Sequence, residues 1–159
     1  MNFTKLLGSL SLILLTTSSL NAQGAYYDYK VRCLGVELDG SATLECYGKG
    51  RNYWDAAEQA KKNAVNAILF TGIKEGNGGC SRDPILLSSS IRELQQDYFA
   101  NFFSDDGPYT EYVSMKDERI MNKVKRNRKK SKRMQQRQVV VRVDKLGLKK
   151  RLKEDEIID

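Results

Sequence analysis

The chain has 159 residues, a formal net charge of +7, three Cys and no His. That length supports one domain with one modest core. Lack of His removes the commonest general base and metal ligand, and three scattered Cys lack the spacing of a metal site.

Lys5 precedes an apolar stretch, Leu6 to Leu15, which gives way to Thr16-Thr17-Ser18-Ser19 and Leu20-Asn21-Ala22-Gln23. A basic start, an apolar middle and a small-residue exit make residues 1–22 a predicted secretory signal peptide, cleaved after Ala22. The apolar middle is shorter than the roughly 20 residues that span a bilayer. No Cys follows it, so no lipid attachment site is expected. Cleavage leaves 137 residues with a charge of +6, since Lys5 is lost. The predicted location is periplasmic or extracellular.

Tyr29 to Leu38 and Ser41 to Tyr47 read as strands joined by Asp39-Gly40, a strong signal for a two-residue hairpin turn. That turn sets Leu38 against Ser41 and Cys33 directly against Cys46. A Cys33–Cys46 disulfide is therefore predicted, with Cys80 left over. The alternative is two buried free thiols.

Asn52 is a predicted N-cap, answered by Asp55. Ala56, Ala57, Ala60, Ala64, Ala67 and Ile68 then follow helical spacing, which predicts a helix over Tyr53–Thr71 ended by Gly72. Its almost all-Ala face suits close packing on a sheet. Gly76 to Gly79 predicts a loop; without a following Lys-Ser/Thr it is no phosphate loop. Asp83-Pro84 predicts a second helix with an apolar stripe of Leu87, Ile91, Leu94, Tyr98 and Phe102. Core packing is the ordinary role of such a stripe. Phe99, Phe102 and Phe103 are the alternative as a partner-binding surface.

Tyr109 to Met115 and Val139 to Val143 read as a strand pair, and Leu146, Leu148 and Leu152 as a short C-terminal amphipathic helix. The predicted order is β-β-α-α-β-β-α. The expected fold is α+β: a small antiparallel sheet, built from a hairpin and a C-terminal strand pair, with an Ala-rich helix and a second amphipathic helix packed on it. Residues 23–159 form the single domain, with a basic insertion at about 120–137.

That insertion is the chain's strongest charge feature. From Lys116 to Arg151 there are sixteen Lys or Arg against Asp117, Glu118 and Asp144. The candidate anion-binding residues are Lys123, Lys125, Arg126, Arg128, Lys129, Lys130, Lys132 and Arg133. No aromatics interleave them, so base stacking is not indicated. Each cation near an anionic surface contributes about 1 kcal/mol. The other reading is a solvated connection between two strands. Ser88-Ser89-Ser90 lacks an S-x-x-K pattern, and Asp105-Asp106 and Asp117-Glu118 read as turn or surface acids. No constellation supports catalysis.

One stretch resembles a known family. Cys46-Tyr47-Gly48-Lys49-Gly50 runs into Trp54-Asp55-Ala56-Ala57-Glu58-Gln59-Ala60-Lys61-Lys62-Asn63-Ala64. A strand ending in Gly-x-Gly, followed by a helix with Ala at every fourth position, resembles the small bacterial envelope domains of the flagellar T-ring (FlgT) N-terminal and LPP lipoprotein type. Val139 to Val143, leading to Leu146–Leu152, is similar to a later part of the same pattern. The resemblance implies a structural or accessory role in an envelope assembly through protein–protein contacts, with no site residues to carry over. The expected partner is an envelope protein or a second copy of the chain. The alternative is an electrostatic module gripping anionic lipid, glycan or nucleic acid through residues 123–133. No cofactor and no small-molecule substrate is expected.

Overall fold

The computed structural model of the chain describes residues 30–76, 78–116 and 135–159, so the predicted signal peptide lies outside the described residues. Strand β1 (Arg32–Val36) turns back into β2 (Ala42–Gly50), as the Asp39-Gly40 pair predicts. The loop, however, holds three residues, Leu38-Asp39-Gly40. Glu37 N–H donates to Ser41 O at 2.8 Å, Gly40 N–H donates to Glu37 O at 2.9 Å, and Gly40 sits at φ +80°. This is a type I turn closed by a residue in the left-handed region, where glycine carries no penalty. The Asp39 carboxylate closes the turn by accepting from Ser41 N–H, Ser41 Oγ and Arg142 Nη2.

The extra loop residue shifts the pairing by one, so that Val36 faces Ala42 and Gly35 faces Thr43. A bulge between Cys33 and Gly35 shifts it again, and Cys33 faces Leu44 rather than Cys46. The predicted Cys33–Cys46 disulfide is therefore corrected. Cys33 is bonded to Cys80, with Cα atoms 5.9 Å apart, inside the usual range. Cys46 is a buried free thiol. Burial pushes it up to about 12, with the Glu45 charge adding to the effect.

Cys80 reaches Cys33 because the chain runs alongside β1 as a two-residue strand, β3 (Glu75–Gly76), with Arg32 facing Glu75. This pairing is parallel, so the sheet is mixed and not purely antiparallel.

Helix α1 (Tyr53–Asn66) begins where predicted, with Asn52 Oδ1 accepting from Asp55 N–H at 2.9 Å. It widens into a π-helical turn over Ala67–Thr71 and stops at Gly72. Its buried face is Ala56, Ala57, Ala60, Ala64 and Val65. The sheet offers no side chain at Gly48 and Gly50. A Cβ at Gly48 would lie 2.0 Å from Ala56 O, and one at Gly50 would lie 2.3 Å from Ala56 N. Strand and helix backbones are thus in direct contact, which only Gly opposite Ala permits.

The predicted helix from Pro84 does not form there. Ile85 and Leu86 instead donate their N–H groups to Ile68 O and Leu69 O, both at 2.9 Å, and so satisfy the last carbonyls of the long helix. Helix begins only at Ser90, as α2 (Ser90–Leu94), and restarts as α3 (Gln96–Phe102) after a break at Gln95. The predicted stripe loses its phase: Leu86 is buried, while Leu87 and Leu94 are about four-fifths exposed (82% and 78%).

The predicted strand at Tyr109 is shorter than read. Pro108–Tyr112 is a 3₁₀ turn, and β4 is Val113–Met115. The valine run belongs to β5 (Gln135–Val143), which pairs along its whole length with β2 and at its end with β4. The strand order is β3-β1-β2-β5-β4. Helix α4 (Lys145–Glu154), capped by Asp144, buries Leu148 and Leu152 but leaves Leu146 exposed. The result is an α+β fold. α1 lies on one face of the sheet over Leu44, Cys46, Val139, Val141 and Val143. The other face carries polar cross-strand pairs, among them Tyr47 with Gln138 and Arg32 with Glu45.

Four outcomes follow from this fold. Gly48→Ala should lower the urea midpoint, costing about 3 kcal/mol or more, because backbone atoms cannot move aside as a flexible side chain could. Peptide mapping under non-reducing conditions should recover Cys33 joined to Cys80. Iodoacetamide should fail to label Cys46 at about pH 8 until the protein is unfolded. Replacing both bridged Cys by Ala should cost about 2–4 kcal/mol, as expected for opening a sequence separation of 47 residues.

Candidate functional site

A cleft of about 450 Å³ opens at the corner where β2 turns into α1. Three segments build it. The end of β2 supplies Lys49 and Gly50, with Arg51 following. α1 supplies Trp54, Asp55, Glu58, Gln59 and Lys62. The turn before the 3₁₀ segment supplies Asp105, Asp106 and Tyr109. The helical members recur at three- and four-residue steps, so they share one face of α1. The Ala residues buried against the sheet occupy another. The Asn52 cap fixes where the helix begins, and with it the height of Trp54 and Asp55 above the strand end.

Glu58 is the anchor of the floor. Its Oε2 accepts from Tyr109 Oη at 3.2 Å and from Lys61 Nζ at 2.8 Å. Its Oε1 is buried and meets no hydrogen-bond donor among the described residues. Tyr109 is itself 1% exposed. Burial, reinforced by the Glu58 charge, raises its phenol well above the ordinary value, so it stays a protonated donor. Lys62 Nζ pairs with Asp105 Oδ1 at 2.8 Å and lies 5.5 Å from the centre of the Tyr109 ring. Its hydrogen bond holds the Asp105 carboxyl below the usual range. Asp106 adopts φ +57°, which aspartate tolerates better than most residues.

The lining combines four carboxylates, three cations, one amide and two aromatic rings. Among the described residues, no group of three or more His, Cys, Asp or Glu side chains is placed to hold a metal ion.

The sequence-predicted sites fall elsewhere. Lys123, Lys125, Arg126, Arg128, Lys129, Lys130, Lys132 and Arg133 all lie outside the described residues. The strands joined by that segment are described. It leaves β4 after Met115 and returns at Gln135, which faces Gly50 at the lip of the cleft. Nearby, the Arg137 guanidinium sits 4.8 Å from the centre of the Tyr53 ring. The aromatic surface proposed for Phe99, Phe102 and Phe103 is corrected. Phe99 and Phe102 are 4% and 2% exposed, and edge-on and stacked contacts tie them to Phe70, Tyr98, Phe103 and Tyr112. They are core.

The cleft escaped the sequence reading because Asp55 was assigned to the cap and Asp105-Asp106 to a turn, while Glu58 was given no role. The available signal was Trp54, Glu58 and Lys62 at four-residue steps. Tyr109→Phe should destabilise the fold by about 1–2 kcal/mol in urea unfolding, because it removes a buried donor from the Glu58 carboxylate.

The chain matches no protein-family model, no curated protein and no solved structure.

Proposed function

We propose that this chain is an exported, non-enzymatic accessory module of a bacterial cell envelope, acting through contacts with another envelope component. The observation that carries the reading is the Cys33–Cys80 bridge, which ties β1 to the loop beyond β3. Such a bond persists in an oxidising compartment and is rare in the cytosol. The signal-like residues 1–22 point the same way. Among the described residues, no helix is long and apolar enough to cross a membrane.

The resemblance to T-ring and LPP-type domains supplies the accessory role. The residues that carry it, Gly48, Gly50, Ala56 and Ala60, are the ones in backbone contact here, so the motif has a packing cause in this chain.

An electrostatic role for residues 123–133 is the second reading. It is favoured by the cations beside the point where that segment re-enters the sheet, namely Lys49, Arg51 and Arg137. Eight cations within eleven residues suffice to hold a domain on an anionic surface.

Expression of the full chain in a Gram-negative host, followed by fractionation and intact-mass measurement, tests the first reading. The expected product is periplasmic or secreted, lacks residues 1–22 and carries one disulfide. A full-length, reduced, cytoplasmic product would overturn it. Titration of the purified product with heparin and anionic liposomes tests the second. Affinity should fall by about a thousandfold or more between about 50 and 200 mM salt. Replacing Lys125, Arg126, Arg128, Lys129, Lys130, Lys132 and Arg133 by Gln should abolish binding and leave the unfolding midpoint in place.

A further inference from the structure

We propose that the corner cleft is a saccharide-binding site, taking a short stretch of an uncharged glycan chain. The glycan expected from the sequence is an anionic one for residues 123–133, whereas this cleft is built from other residues.

The argument starts from the size and signs of the lining. About 450 Å³ lies within the range of small-ligand sites and accommodates a disaccharide-sized group. An anion entering the cleft would meet Asp55, Glu58, Asp105 and Asp106. A cation would meet Lys49, Arg51 and Lys62. Neither is selected by such a lining. A lipid chain would find too few apolar walls.

A sugar ring has the complementary requirements. Each hydroxyl both donates and accepts, so it needs donors and acceptors side by side. Carboxylates and guanidinium groups provide them as planar pairs, and hydrogen bonds to charged groups are the stronger ones. The C–H faces of the ring need flat apolar surface, which the half-buried Trp54 can supply at the cleft wall.

Preorganisation supports the same conclusion. Glu58 is clamped by Tyr109 and Lys61, and Asp105 by Lys62, so these acceptors are held before a ligand arrives. Arg51 and Asp106 enter no ion pair with the described residues and stand exposed at the rim.

Trp54 is the single tryptophan of the chain, so intrinsic fluorescence reports directly on this cleft. The purified protein would be titrated with N-acetylglucosamine trimer, cellotriose and maltotriose, each up to about 10 mM, a range that covers millimolar dissociation constants. A saturable change with at least one of them is expected. The affinity should vary less than twofold between about 50 and 300 mM salt, which separates it from counterion-driven binding.

Arg51→Ala and Asp106→Gly should each weaken binding at least fivefold without moving the unfolding midpoint. Both positions are exposed, and Gly accepts the φ of Asp106 without strain. No saturable change with any of the three sugars would overturn the proposal. So would binding that neither variant alters. A response to inorganic phosphate or spermidine stronger than to any sugar would also overturn it, since the cleft would then select charge.

Discussion

The structure hangs on the backbone contact between Gly48 and Gly50 of β2 and Ala56 and Ala60 of α1. Any larger side chain at these four positions would lift the helix off the sheet. The closeness is what allows two residues, Arg51 and Asn52, to carry the chain from strand to helix. It also leaves the outward face of the first helical turns leaning over the strand end, and that overhang is the cleft. At the other end of α1, the same tight seating holds Phe70 4.9 Å from the Phe99 ring and brings the π-helical turn within reach of Ile85 and Leu86. One close approach thus positions both ends of the helix.

What could be read in the chain, and what could not, follows from the range of each interaction. The two alternating strands, the Asn52 cap, the Ala face and the Gly72 stop are local, and each appears in the structure. Register is different. Asp39-Gly40 fits both a two-residue and a three-residue loop, and the choice depends on Glu37, Asp39 and Arg142 closing the turn. The bulge at Leu34 is marked only by Gly35, a glycine inside the strand pattern that signals a bulge without fixing the register. Together these two one-residue shifts move Cys33 from Cys46 to Leu44. The partner it bonds instead, Cys80, sits beyond a glycine loop where no periodicity places it. Pro84 misled for a related reason. It is a good first residue for a helix, but the next two N–H groups are already committed to the end of α1.

The cleft was hidden for a third reason: its lining is assembled from three segments, two of them separated by about forty residues. Local reading gave Asp55 to the helix cap and Asp105-Asp106 to a turn, and both assignments are correct as far as they go. What a local reading cannot show is that these acids line one cleft together with Glu58. That carboxylate connects the segments, since its partners are Lys61 on its own helix and Tyr109 from the distant 3₁₀ turn. The aromatic helix shows the converse. Phe102, on the stripe read as core, is buried as expected, whereas Phe99 lies off that stripe and is buried too, in a helix that restarts at Gln96 after a break with no sequence signature.

Charge is divided sharply between the two candidate binding elements, and the division has a physical consequence. The segment between β4 and β5 carries ten Lys or Arg against only Asp117 and Glu118, whereas the cleft at whose lip it re-enters the sheet carries both signs in nearly equal number. A one-sign cluster attracts at long range, is screened over about 10 Å at moderate salt, and is indifferent to the shape of its partner. A mixed-sign cleft has little far field. It discriminates only at contact, through the placement of donors and acceptors, and salt barely weakens it. The two proposed roles therefore do not duplicate each other: charge in the first element would gather a partner, and the cleft would select among the groups that partner presents.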